Sequence, residues 1–360
     1  MSADSKACVM KTIAREPAGR IPCDFHASPA VVDRLCDAFG IRRGLKPLLG
    51  YLGSDIVDIR GTADPLWIAG FPQKWSLPNG DLRSYLGFTT RVVEPPFGPE
   101  EEHVKGALED AESLEDVLDF PYPSADWFDY KNLAEDLKPY EEFCVMASGP
   151  SYFQHPSFLR GIENLLCDYL ITPDIAEYIV GKFRAYYLEH IRRMLDAADG
   201  CIDLVRIADD LGTQQAPLMS LAVARQFLFP HVKALCDLAH GYGAKVMMHS
   251  CGSVESFFDD IIACGVDVID PLQPRAAGMD FPAIYEKYHR RVCLHGSVDT
   301  QYTLPNGTPD EVRREVLSRL EAAPEGAFII APAHVVKPDV PPENVRAMYE
   351  TIRQFNGDRA

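Results

Sequence analysis

His249 and Cys251 stand two residues apart in the run MMHSCGSV. On an extended segment, whose side chains repeat every second residue, that spacing puts both on one face and within reach of one ion. An imidazole and a thiolate are typical zinc ligands. Four protein ligands make a closed structural site, whereas three leave a position for water or substrate, so a third donor would mark a catalytic centre. His334 is the candidate third ligand. The same residue types also describe a histidine bonded to a carbonyl beside a packed thiol, with no metal, and H-x-C alone does not separate the two.

Asp209 and Asp210 are adjacent, so on an extended segment they point opposite ways and one of them faces a pocket. An acid there could hold a substrate cation or move a proton, while its neighbour caps or pairs. Asp210 and His334 are the expected catalytic residues. Asp209, Gln214, Gln273, Tyr152 and Arg60 are the expected substrate contacts, the two glutamines as orienting hydrogen-bond groups. Trp67, Trp75, Trp127, Tyr152 and Phe153 read either as an apolar substrate wall or as core.

The second half of the chain alternates apolar strand-like runs with amphipathic helical ones, and five βα units can be read there. The strands are predicted at 202–208, 244–248, 266–269, 291–295 and 327–331. Helices are predicted at about 220–240, over ESFFDDIIAC up to Gly265, at 281–288, after the Thr308-Pro309-Asp310-Glu311 capping box, and from Pro341-Pro342-Glu343. Strands separated by helices need crossover connections and therefore lie parallel. Every one of the five strand ends carries a polar, ligand-type residue: Asp209-Asp210, His249 to Cys251, Asp270 with Gln273, His295 and His334. Core packing does not call for that, because buried polar groups cost free energy unless paired. Reactive groups at the C-terminal ends of strands are the habit of closed barrels.

The first half is less regular. IPCDF, DIVDI and FCVMAS read as strands and 174–198 as a long helix, while Pro65 to Pro99 reads as loops or a lid. The acid-rich stretch after it, beginning EEEHVKG, reads as a solvated helix face. The expectation is an α/β protein with a single (β/α)8 TIM-type barrel spanning 1–360, with an irregular N-terminal extension over 1–20 and loops over the barrel mouth.

Composition narrows the function. The 360 residues are 47% hydrophobic and 24% charged, which fits a globular chain rather than a disordered, collagenous or coiled-coil one. Thirty-five basic against 53 acidic residues give a net charge of −18, which repels phosphate backbones and anionic lipid, so neither nucleic acid nor membrane is an expected partner. No apolar run approaches the roughly 20 residues that cross a bilayer, and MSADSKACVMKTIAREP lacks a signal-peptide core, so a cytoplasmic location is expected. The ten cysteines form no C-x-x-C pair and read mostly as reduced, buried hydrophobes. There is no G-x-G-x-x-G after a strand, no Walker A lysine and no G-x-S-x-G elbow. Asp24-Phe25-His26-Ala27-Ser28-Pro29 superficially matches a corrinoid-binding D-x-H-x-x-G, but Pro29 stands in place of the glycine and the run is read as a decoy.

Taken together, MMHSCGSV, DDLGTQ, GVDVIDPLQPRAAGMD, HGSVDTQ and APAHVVKPDVPPENVRAMYE resemble the uroporphyrinogen decarboxylase superfamily. The resemblance runs from about Ile21 to the C-terminus and is dense after Asp203. Within the superfamily the chain is more similar to the zinc- and corrinoid-dependent methyltransferase branch, which includes coenzyme M methyltransferases and O-demethylation proteins. That resemblance implies a zinc site at His249 and Cys251, a corrinoid (cobalamin) cofactor carried by a separate protein, and a small methyl donor or acceptor. In the coenzyme M branch a cysteine stands where this chain has His334, and in the decarboxylases a histidine there contacts substrate. The resemblance thus makes His334 either ligand or substrate contact, with Asp210 or a residue from the N-terminal half able to complete the shell. Of the decarboxylase R-Q-A-G-R run only Ala18-Gly19-Arg20 remains, and Arg20, Arg60 and Arg206 are the only basic residues to offer a polycarboxylate. The expected activity is methyl transfer; the alternatives are metal-free decarboxylation and a non-catalytic barrel that binds a small ligand or a corrinoid partner. Homodimers occur in the family.

Overall fold

The computed structural model of the chain describes residues 5–59, 66–67, 74–95 and 100–357. Seven parallel strands run in sequential order around one curled sheet: β1 (Ile56–Asp58), β2 (Cys144–Ser148), β3 (Leu204–Ala208), β4 (Lys245–His249), β5 (Val268–Leu272), β6 (Cys293–Val298) and β7 (Phe328–Pro332). The IPCDF segment closes it. Cys23 bridges Ile330 in parallel, the Asp24 amide donates to the Ile330 carbonyl at 3.1 Å, and the Asp55 amide donates to the Cys23 carbonyl at 2.8 Å, filling the gap between β7 and β1. With this eighth strand-like segment the sheet has the arrangement of a TIM-type barrel.

Every second residue of a barrel strand points inward, and the lower inward positions here are apolar. Ile56, Met146, Leu204, Met247, Val268, Cys293 and Ile329 form one buried cluster with Val9 and Ile13. Those two come from a helix, Ser5–Ile13, which plugs the barrel floor, so part of the N-terminal extension is ordered core rather than irregular chain. The outward positions, such as Val205, Val246, Met248 and Leu294, pack under the surrounding helices in the main core.

The helices follow their local signals. Thr308 and Glu311 make the reciprocal capping box at the head of Pro309–Glu321, and Pro342–Gly357 starts at its proline. The region predicted as one helix over 220–240 is two, Leu221–Phe227 and Phe229–Gly241. Pro230 stands in the first turn of the second, where its missing N–H is tolerated, and would break a continuous helix. The stretch predicted as loops or lid, 65–99, holds Lys74–Ser76, Leu82–Ser84 and Phe88–Val93, three strands of an antiparallel sheet whose fourth is Glu100–Gly106. Its last strand is the EEEHVKG run, so the start of the acid-rich stretch lies on a strand, while Glu115–Leu118 further along it is a short helix. Lys74 and Thr90 bind Glu101 across the sheet. No helix among the described residues is long and apolar enough to cross a membrane.

Candidate metal centre

The inward positions change character one step up the barrel. Two residues beyond Leu204, Met247, Val268 and Cys293 stand Arg206, His249, Asp270 and His295, and all four line a cavity of 220 Å³ at the C-terminal ends of the strands. Larger hollows of 540 and 510 Å³ lie beside residues 15–22 and 50–55 at the opposite end, and one of 420 Å³ lies beside Tyr122 and Lys182; none contains these groups.

One nitrogen or sulfur from each of His249, Cys251 and His334 lies within 4.8 Å of the other two. Nε2 of His249 is 3.5 Å from Sγ of Cys251. Tetrahedral zinc with its usual bond lengths spaces a nitrogen and a sulfur ligand about 3.6 Å apart, so the pair is already set for a shared ion. The His249 and His334 rings meet edge to face at 5.7 Å. The chemistry of this donor set fits zinc, and His249, Cys251 and His334 are the residues that would hold it.

The loop after β4 places the thiol. The Cys251 amide donates to Oδ1 of Asp210 at 2.9 Å, and the Gly252 amide donates to Oε1 of Gln273 at 2.8 Å. Gly252 has φ +91°, and a Cβ there would lie 2.6 Å from the Gly212 and Thr213 backbone, so only glycine lets the two loops touch.

Behind the cluster, Nδ1 of His249 sits 2.8 Å from Oδ2 of Asp270, which also accepts from Nε of Arg206 at 2.9 Å. The Arg206 guanidinium comes within 2.5 Å of the same Nδ1. One ring nitrogen fills one role, and donation to the carboxylate is the favourable one; it leaves Nε2, which carries a proton when the ring is charged and a lone pair when it ligates, facing Cys251. Burial and Arg206 disfavour charge on His249, yet Asp270 and Asp210 outweigh them and raise its pKa well above the usual value. Burial pushes the Cys251 thiol up, with His249 pulling the other way. His334 is exposed at the rim, and the protein around it and the neighbouring His249 charge lower its pKa to about 4, the direction that favours a ligating neutral ring.

The predicted residues fare unequally. Asp210 lies at the cavity with Oδ1 3.5 Å from Nε2 of His249, and Oδ2 accepts from Nε2 of Gln154 at 3.0 Å. Burial raises the Asp210 carboxyl, but His249 and the Cys251 amide hold it below the ordinary carboxylate range. Asp209 points the other way. It is buried and accepts from Oγ of Ser151 and from the amides of Tyr152, Phe153 and Gln154, which commits both oxygens to the loop after β2 rather than to substrate. Tyr152 is fully buried against Tyr187 and His231, and it is core, not cavity wall. Gln273 orients the Cys251 loop, and Gln214 is exposed, holding the Ala277 amide through its carbonyl. Neither lines the cavity, nor do Trp75, Trp127 and Phe153. Arg60 and the Trp67 side chain lie outside the described residues.

Sequence reasoning set Asp24 and His26 aside as a decoy motif, passed over Gln154, and noted Asp270 and His295 only as strand ends. The usable signal was parity: counting inward by twos from Met247 and Cys293 reaches His249 and His295. His26 carried no such signal, because its segment pairs with β7 across more than 300 residues of chain.

The fold and this cluster can be set beside known proteins. Over 98% of each chain the structure superposes on a methyltransferase from Methanosarcina mazei with a TM-score of 0.63 at 18% identity, a likeness of fold. Methylcobamide:CoM methyltransferase MtaA of Methanosarcina barkeri (strain Fusaro / DSM 804) is 26% identical over 146 residues, which are 41% of this chain and 40% of that protein. The match therefore spans well under half of that relative's length. The profile described as Uroporphyrinogen decarboxylase (URO-D) matches residues 133–355, which take in β2 to β7 and all three clustered side chains. With more than half of its length matched in this way, the chain belongs to the uroporphyrinogen decarboxylase (URO-D) family.

Proposed function

We propose that the protein is a zinc-dependent methyltransferase that moves a methyl group between a small O- or N-methyl compound, a thiol or another one-carbon acceptor, and a cobalamin (corrinoid) carried by a separate protein. The observation that carries this reading is the His249, Cys251 and His334 cluster, with its nitrogen and sulfur spaced for one ion at an open barrel mouth. Its similarity to a protein named methylcobamide:CoM methyltransferase supports the reaction class. Zinc bound there would supply Lewis acidity, making a methyl-bearing heteroatom a better leaving group or a thiol a stronger acid.

The chain's own residues prepare that chemistry. Asp270 fixes the tautomer and orientation of His249, and Asp210 holds the Cys251 amide while presenting a carboxylate to the cavity. A volume of 220 Å³ lies below the roughly 300–1,000 Å³ of pockets for drug-sized ligands, which favours a substrate of few atoms. Among the described residues Arg206 is the one arginine lining the cavity, and it is already paired with Asp270, a poor fit to a polycarboxylate tetrapyrrole.

Two measurements on protein purified without added metal test the reading. The first is zinc per chain; the second is release of cob(I)alamin from methylcobalamin in the presence of small thiols, with methyl ethers and methylamines assayed in the opposite direction. One equivalent of zinc, lost in Cys251→Ala and His334→Ala together with turnover, is expected. Full turnover by a zinc-free protein would overturn it.

A further inference from the structure

His26 lines the same cavity, and its carbonyl accepts from the Val336 amide at 2.8 Å, which places it alongside the segment that carries His334. Nε2 of its ring lies 2.7 Å from Oδ2 of Asp24. Asp24 is wholly buried, and its other oxygen accepts from the Phe25 amide at 2.7 Å, so the carboxylate is fixed in direction. Burial raises Asp24, but His26 and His295 outweigh it and hold the carboxyl below its ordinary range. Nδ1 of His26 has no partner among the described residues, and the side chain is 20% exposed. A ring with one nitrogen held by a buried acid and the other free is the arrangement of a general base with its orienting group.

The other cavity groups are engaged. His295 is bonded through Nδ1 to Asp270 at 2.7 Å and through Nε2 to Asp24 at 3.2 Å. Both oxygens of Asp210 accept hydrogen bonds, and His249 and His334 belong to the ligand cluster. We infer that His26, oriented by Asp24, is the residue that takes the proton of a protic substrate such as a thiol, and that returns it to the leaving heteroatom in the opposite direction. The inference rests on the methyltransferase reading and adds its proton carrier. In the forward sense the S–H bond breaks, both electrons stay on sulfur and the proton goes to Nδ1 of His26. Asp24 stabilises the resulting imidazolium without being protonated itself. Nothing is oxidised or reduced.

Calorimetry of 2-mercaptoethanesulfonate binding to the zinc-loaded protein, in buffers of low and high ionisation enthalpy, counts the protons given up to solvent. Wild type is expected to retain most of the thiol proton, whereas His26→Gln releases about one per thiol bound. Asp24→Asn should release it as well, and zinc content with the thermal midpoint serves as the folding control for both. Equal proton release by wild type and a zinc-loaded, folded His26→Gln overturns the assignment. No binding heat in wild type overturns the thiol reading beneath it, and this step with it.

Discussion

Oδ2 of Asp270 lies 2.8 Å from Nδ1 of His249, on the ring edge opposite the one that faces Cys251. A carboxylate behind a ligating histidine fixes its tautomer and raises its basicity. Asp270→Asn is therefore expected to weaken zinc binding by about 10- to 100-fold, read by competition with a chromophoric chelator. Unchanged affinity in a folded variant would remove Asp270 from the metal's support.

Gly252 is expected to admit no side chain. A Cβ would overlap the Gly212 and Thr213 backbone at 2.6 Å, so Gly252→Ala must push the two loops apart and carry Cys251 with them. Loss of zinc from this variant at wild-type secondary structure, by metal analysis and circular dichroism, is the expected outcome. Retention of a full equivalent would show that the loops can separate without moving the thiol.

Asp209 is a structural acid. Asp209→Ala leaves three amides and the Ser151 hydroxyl without their acceptor. At about 1–3 kcal/mol for each buried unsatisfied group, a loss of about 3 kcal/mol or more in urea denaturation is expected. Zinc binding should survive, since Asp209 faces away from the cluster. A loss within experimental error would mean that water replaces the carboxylate.

His295 sets a pH limit. Burial works against its charge, but Asp270 and Asp24 outweigh it and raise its pKa to about 9 from an ordinary value near 6.5. A raised histidine contributes stability that is fully present below its unfolded pKa and disappears as pH climbs through the folded one. Asp24 and Asp270 are both lowered, so their contribution is present above the ordinary carboxylate range and lost as pH falls below it. The urea midpoint should therefore fall between about pH 6.5 and 9, and His295→Gln should flatten that fall. An unchanged alkaline limb in the variant would place the titration elsewhere.

Much of this protein was legible from local pattern. Continuous apolar runs marked the strands from 204 onward, the Thr308 capping box and the terminal proline marked helix starts, and the two-residue spacing of His249 and Cys251 put an imidazole and a thiol on one face. These signals are short-range, because backbone hydrogen bonding and side-chain alternation act within a few residues. Adjacency alone stated that Asp209 and Asp210 diverge; which of them faces the cavity depended on how β3 sits in the closed sheet. Tyr152 and Gln214 had plausible chemistry and no place in the cavity, since composition does not fix direction. The antiparallel excursion was hidden because its acidic strand exposes one edge and has no apolar periodicity.

What the amino-acid order determined by itself was the set of barrel strands, their parallel sense and the donors at their ends. Only the tertiary structure decided that His334 reaches His249, that Asp270 stands behind the ring, and that His26 closes the far wall. The first and last depend on barrel closure, with Cys23 beside Ile330, and the second on the pairing of β4 with β5; both are packing between separated segments that no local sequence pattern encodes.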